Sequence, residues 1–156
     1  TCALPISLAG AYRLATWQTN HPELAGAPRV MLCASGTVIP EALQAAELLW
    51  REGVAADVVN VVSVRALYEQ FVAARQHGER DPFAWLYPDA ERRTPIVTIH
   101  DAASHAMAWL GSVYGAPVTS LGVDEFGQSG NRHDLYRHFH LDVASIADAA
   151  FCAIDE

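Results

Sequence analysis

His100 and Asp101 stand side by side at the end of the apolar run Ile96-Val97-Thr98-Ile99, with His105 a few positions on. An imidazole beside a carboxylate can hold one tautomer and move a proton. In open α/β sheets, ligands bind at the carboxyl ends of strands, where this pair falls. Such a couple needs a third reactive group. Ser104 and Ser120 are near it only in sequence, and no Gly-x-Ser-x-Gly turn is present to expose a nucleophile. Ser35-Gly36-Thr37 offers a second chemistry. It follows the run Val30-Met31-Leu32-Cys33-Ala34 and opens a helical pattern, so its backbone N–H groups could hold a small anion. It matches neither G-x-G-x-x-G nor G-x-x-x-x-G-K-[ST], and the nucleotide fingerprints are absent. A possible anion site and a tight capped connection both stay open for this turn.

Seven histidines invite a metal. Neither His100 with His105, nor His133, His138 and His140, has a recognisable ligand spacing. On a helix, His133 and His138 are separated by about 500° of rotation and do not share a face. No metal site is expected. The three cysteines, Cys2, Cys33 and Cys152, are far apart and form no Cys-x-x-Cys. They indicate a reducing cytoplasm without a disulfide framework, and Cys33 reads as buried and inert. Every basic residue is Arg; a chain without Lys cannot form a Schiff base. Together these leave a ligand-binding type of sheet with no assigned catalytic, cofactor-binding or metal-ligating residue.

The elements that would position these groups alternate. The run 30–34, apolar throughout, reads as a strand covered on both faces. A helix over 38–52 follows, with Ile39, Leu43, Ala46 and Trp50 on one face, Thr37 as cap and Pro40 in the first turn. Residues 57–62 form a second strand, and Ser63 caps a helix presenting Leu67, Tyr68, Phe71 and Val72. Residues 96–100 and 118–122 are further strands, and 103–114 reads as a helix between them. A Gly-rich loop leads to a helix with Leu135, Tyr136 and Phe139. Asp142 caps a last helix with the stripe Val143, Ile146, Ala147, Ala150 and Ile154. Strand–helix alternation at this spacing implies a parallel sheet with right-handed crossovers. The N-terminal segment, residues 1–28, offers an edge strand near Gly10-Ala11-Tyr12-Arg13-Leu14. The long loop at 77–95 carries Phe83, Trp85 and Tyr87, and Trp85 and Tyr87 are expected on an exposed apolar surface.

With 156 residues the chain fits a single domain, 1–156. The net charge of −8 argues against nucleic acid, and no apolar run reaches the length of a membrane span. Thr1 stands where an initiator Met would, so a fragment of a longer chain is expected.

The segment Asp124-Glu125-Phe126-Gly127-Gln128-Ser129-Gly130, followed by Leu135-Tyr136-Arg137-His138-Phe139, resembles the C-terminal domain of transketolases. Its signature positions are Asp124, Phe126, Gly127, Ser129 and Gly130. The chain is more similar still to the homodimeric decarboxylating component of pyruvate dehydrogenase complexes. The matching stretches are 10–14, 32–37, 45–49 and 53–58 with Ser63, then Arg132 and Arg137-His138-Phe139 before Leu141-Asp142, in family order. Residues 70–94 are shorter and different, and Gln128 stands where that family commonly has Arg. The resemblance implies a three-layer α/β/α sandwich whose mostly parallel five-stranded sheet has one antiparallel edge strand. It implies thiamine diphosphate and Mg held by other domains of a full-length enzyme, with no cofactor on this part. It further implies subunit assembly as a homodimer and a lipoyl acyltransferase partner in a multienzyme complex. The transketolase alternative implies two-carbon ketol transfer. A stand-alone small-anion-binding module is the alternative of a different class.

Overall fold

The computed structural model describes residues 9–155, so Cys2 and the first residues of the N-terminal segment lie outside it. Five strands form one sheet: β1 (Ala11–Ala15), β2 (Arg29–Ser35), β3 (Ala55–Val61), β4 (Ile96–His100) and β5 (Val118–Leu121). Their order is β1-β3-β2-β4-β5. β1 runs antiparallel to β3 at one edge, and the other three pairings are parallel. The helices are α1 (Trp17–Asn20), α2 (Ile39–Arg51), α3 (Val64–Gln76), α4 (Leu110–Tyr114), α5 (Arg132–His138) and α6 (Val143–Asp155). The expected sandwich with its antiparallel edge strand is what the chain adopts.

Alternation along β2 shows why its sequence is apolar throughout. Val30, Leu32 and Ala34 enter one core with α2 and α6. Met31 and Cys33 enter a second core with Leu67, Phe71, Met107 and Leu110. Successive side chains of a strand leave on opposite faces, so a strand covered twice needs no polar side. In α2 the most buried face is Ala42, Ala45, Ala46 and Leu49, while Ile39, Leu43 and Trp50 are only partly buried. The small residues let this helix lie close to the sheet, which moves the contact stripe off the bulkier positions. Likewise Leu67 and Phe71 of α3 are buried, whereas Tyr68 is exposed. Ser63 caps α3 as its sequence suggests, accepting from the Ala66 N–H.

Residues 103–114 depart from the single expected helix. A 3₁₀ segment at Ser104–Met107 precedes the short α4. Gly122 explains the break, because a Cβ there would lie 2.5 Å from the backbone of Ser104. The Val123 N–H also donates to the Ala102 carbonyl. The segment is thus pinned against the end of β5 before it can wind regularly.

The stretch 77–95 is structural. Phe83, Leu86 and Tyr87 are buried in the second core, and of the three aromatics only Trp85 is exposed, at 48%. The expectation for Tyr87 is therefore corrected: its ring packs on Tyr114 and its hydroxyl lies 3.5 Å from the Cys33 sulfur. Arg92 pairs with Asp81 and Asp89, and Asp81 accepts from the Tyr114 hydroxyl at 2.5 Å. Arg13 of β1 binds Asp57 of β3, Glu91 and the Leu86 carbonyl. That one guanidinium ties the edge strand to the sheet and to this segment.

Candidate functional site

The chain leaves β2 for β3 on one side and returns to β4 on the other, so the sheet's switch point lies between the carboxyl ends of β2 and β4. Open α/β sheets bind their ligands in this crevice. Ser35, Gly36 and Thr37 follow β2 there, and His100 and Asp101 end β4; Ser35 pairs with His100 in the sheet register. The structure therefore brings together two groups of residues singled out separately in the sequence.

What they do to one another is specific. The Thr37 N–H donates to Asp101 Oδ2 at 2.7 Å, and the Thr37 hydroxyl donates to the same oxygen at 2.9 Å. Gly36 adopts φ +87°, and a Cβ on it would fall 2.2 Å from the Asp101 carboxylate. Glycine is what admits both that backbone conformation and that approach. Turn and helix start do gather donors around an anion, as such turns can, and that anion is the chain's own Asp101. Ser35 is engaged elsewhere, donating to the Val61 carbonyl at 2.8 Å. Thr37 is not the cap of α2: Val38 occupies that position without a side-chain bond. The Thr37 hydroxyl gives its proton to the Asp101 carboxylate, and its oxygen faces the Tyr136 hydroxyl rather than a helix N–H.

The network continues outward. The Tyr136 hydroxyl lies 2.6 Å from Thr37 Oγ1, which is left as acceptor once its proton points to Asp101. The Arg132 guanidinium lies over the Tyr136 ring, 5.0 Å from its centroid. Its Nη2 donates to the Thr37 carbonyl and to both oxygens of Glu41. A chain of contacts thus runs from the end of β4 through the turn after β2 to α5. Nothing in the sequence spacing of Asp101, Thr37 and Tyr136 signals this link, which only the topology makes.

Among the described residues no hydrolytic set assembles. His100 Nε2 is 4.0 Å from Asp101 Oδ1, and its buried Nδ1 has no hydrogen-bond partner among them. The Ser104 hydroxyl and N–H donate to Asp124, at 2.6 and 2.9 Å, and in that order hold its carboxyl below the usual range. Ser120 accepts from the Thr98 hydroxyl at 3.0 Å. Burial raises the Cys33 thiol to about 11, so no thiolate forms there at neutral pH. Among the described residues no group of three or more His, Cys, Asp or Glu could hold a metal ion. The turn after β2 does not fit a magnesium diphosphate group, because it already holds the Asp101 carboxylate, which would repel the diphosphate. Among the described residues, no helix is long and apolar enough to cross a membrane.

The loop 124–130 lies beyond this crevice. Its Phe126 is 98% exposed, and Asn131 caps the following α5 by accepting from the Asp134 N–H at 2.9 Å.

Comparison with known proteins places this geometry. Residues 10–142 match the family described as the transketolase-like TK C-terminal domain. The chain is 34% identical over 130 residues to the chromosomal transketolase of Cupriavidus necator, covering 83% of this chain and 17% of that protein. It is 37% identical over 137 residues to the pyruvate dehydrogenase E1 component of Mycolicibacterium smegmatis, covering 79% of this chain and 14% of that protein. Among solved structures it superposes on the transketolase from Leishmania mexicana with a TM-score of 0.67 and 19% identity, over 99% of this chain and 19% of that one. It also superposes on a split-gene transketolase, an inactive β4 tetramer, with a TM-score of 0.62 and 23% identity, over 83% of this chain and 40% of that one. The structural likenesses show the fold alone. The chain spans less than a fifth of the length of these two curated relatives.

Proposed function

The chain belongs to the family of transketolase-like C-terminal domains, and we propose that it serves as the assembly domain of a longer, thiamine-diphosphate-dependent enzyme. In this reading the whole protein oxidatively decarboxylates a 2-oxo acid of the pyruvate type and acylates lipoamide. Residues 1–156 act as one domain, and thiamine diphosphate and Mg are held by other domains. Homodimerisation, a cytoplasmic setting and a lipoyl acyltransferase partner belong to the same proposal. One observation carries it: at the sheet's switch point Asp101, Thr37 and Tyr136 are bonded to one another. The 37% identity to a pyruvate dehydrogenase E1 component supports the substrate class.

A second reading, transfer of two-carbon ketol units by a transketolase, is supported by the 34% identity to the Cupriavidus necator enzyme. Domain exchange separates the two. This chain would replace the matching segment of the Escherichia coli pyruvate dehydrogenase E1 component, a relative at 28% identity, or of the Cupriavidus necator transketolase. Pyruvate decarboxylation by the first chimera, with no ketol transfer by the second, is the expected outcome; the reverse pattern establishes the transketolase reading. Turnover of pyruvate by the isolated chain with thiamine diphosphate and magnesium would overturn the assembly role itself. The stand-alone anion module would reveal itself by a rise in melting temperature with inorganic phosphate; Asp101 already fills the turn, and no rise is expected.

A further inference from the structure

A groove walled by α2, α5 and the start of α6 has no part in the assembly reading. It encloses about 530 Å³, within the ~300–1,000 Å³ of small-molecule sites. Leu48, Tyr136, Val143 and Ala144 make its walls mostly apolar. The charged groups that line it differ in what they have left to offer. Glu41 is engaged, because both its oxygens accept from Arg132 Nη2. The same Nη2 donates to the Thr37 carbonyl, and the guanidinium lies over the Tyr136 ring. Arg132 is thereby held in place, while among the described residues its Nε and Nη1 carry no hydrogen bond and remain as donors. His133 turns Nδ1 toward Asp134 at 3.6 Å, and its side chain is 72% exposed. Asp142 accepts from the Ser145 hydroxyl at Oδ1, which leaves Oδ2 as an acceptor.

We propose that this groove binds a free α-amino acid with an apolar side chain of about leucine's size. One cation with open donors, one carboxylate with an open oxygen and an apolar wall share the lining. A simple anion would gain Arg132 but meet the Asp142 carboxylate, and a simple cation would gain Asp142 but meet the guanidinium. A zwitterion satisfies both. Its carboxylate accepts from Arg132, with His133 beside it, and its ammonium donates to Asp142 Oδ2. Charge-assisted hydrogen bonds of this kind are the stronger class, and an apolar body adds burial against Leu48, Tyr136, Val143 and Ala144. Arg132 is fixed beforehand by Glu41, Thr37 and Tyr136, so the ligand need not order it. The assembly role above does not depend on this site.

Titration of the 156-residue chain with L-leucine, followed by the NMR shifts of its backbone amides, tests it. Saturable shifts centred on α2, α5 and the start of α6 are expected, with a dissociation constant at or below about 1 mM. 4-Methylpentanoate lacks the ammonium and 3-methylbutylamine lacks the carboxylate. Each should bind roughly tenfold more weakly or worse, as for one lost charge-assisted hydrogen bond. Asp142→Asn keeps a residue suited to the start of α6 and should weaken L-leucine by a similar factor. Ala144→Phe places a ring in the groove from an exposed position and should abolish binding. An unchanged melting temperature shows that each variant is folded, and the two leucine analogues test the wild type without any substitution. No saturable shift up to about 10 mM L-leucine, an analogue that binds as tightly as L-leucine, or binding that survives both substitutions overturns the proposal.

Discussion

Arg13 donates to Asp57 across 2.6 Å at the antiparallel edge of the sheet, joining two residues 44 positions apart. The same guanidinium also binds Glu91, so one partly buried cation serves two largely buried carboxylates. Removing it leaves both acids without their charge partner. Arg13→Met is therefore expected to destabilise the chain by about 3 kcal/mol, as for breaking a buried pair from one side. The midpoint of urea unfolding measures it, and a loss below about 1 kcal/mol would mean that water screens the cluster.

Asp57 gives this cluster a pH signature. Burial raises its carboxyl above the ordinary 3.8, outweighing the Trp17 N–H bond and the Arg13 charge that lower it. A folded value above the unfolded one means that its stabilising contribution is complete below about pH 3.8 and is lost as pH rises through the folded value. In Asp57→Asn that titration vanishes. The difference in unfolding free energy between wild type and Asp57→Asn should shift in the variant's favour as pH rises through this window. A pH-independent difference would contradict the assignment.

Phe83 and Trp85 are two residues apart and should behave differently. Phe83→Ala empties a fully buried site and should cost about 3–5 kcal/mol. Trp85→Ala, at a half-exposed position, should change stability by less than about 1 kcal/mol. Thermal unfolding of the two variants decides whether 77–95 is core or surface excursion.

Asp101→Ala should free the Thr37 N–H and hydroxyl and cost about 1 kcal/mol, like the loss of a helix cap. Gly36→Ala should cost at least as much, because the new methyl meets the Asp101 carboxylate at a φ of +87°. If Gly36→Ala is neutral in wild type, the carboxylate does not sit in the turn.

Cys33 and Cys152 should separate in a labelling experiment. With a thiol held near 11 by burial, Cys33 should resist alkylation at neutral pH until the chain unfolds, while exposed Cys152 reacts in the native state. Peptide mass spectrometry reads the two sites independently.

Much of the fold was legible because the patterns that encode it are local. The apolar run 30–34, the Ser63 cap and the stripe of α6 each declare an element within a few residues. What escaped is set by distant partners. Tyr87 looks like a surface aromatic until the sheet places Cys33 under its hydroxyl. The helix expected at 103–114 breaks because Gly122, a dozen residues downstream of the break, lets two backbones touch. At the candidate site, Ser35-Gly36-Thr37 and His100-Asp101 were both visible as polar groups at strand ends. That one would serve as ligand for the other depended on β2 and β4 being neighbours, a fact of topology with no marker at either position.

β1 has a consequence for the order in which the molecule can be made. Among the described residues it is hydrogen-bonded to β3 alone, so residues 11–15 leave the ribosome before their partner strand, residues 55–61. Arg13 then waits longer still, for Glu91. The first-made strand of the sheet therefore stays an open edge in search of a strand until β3 has emerged.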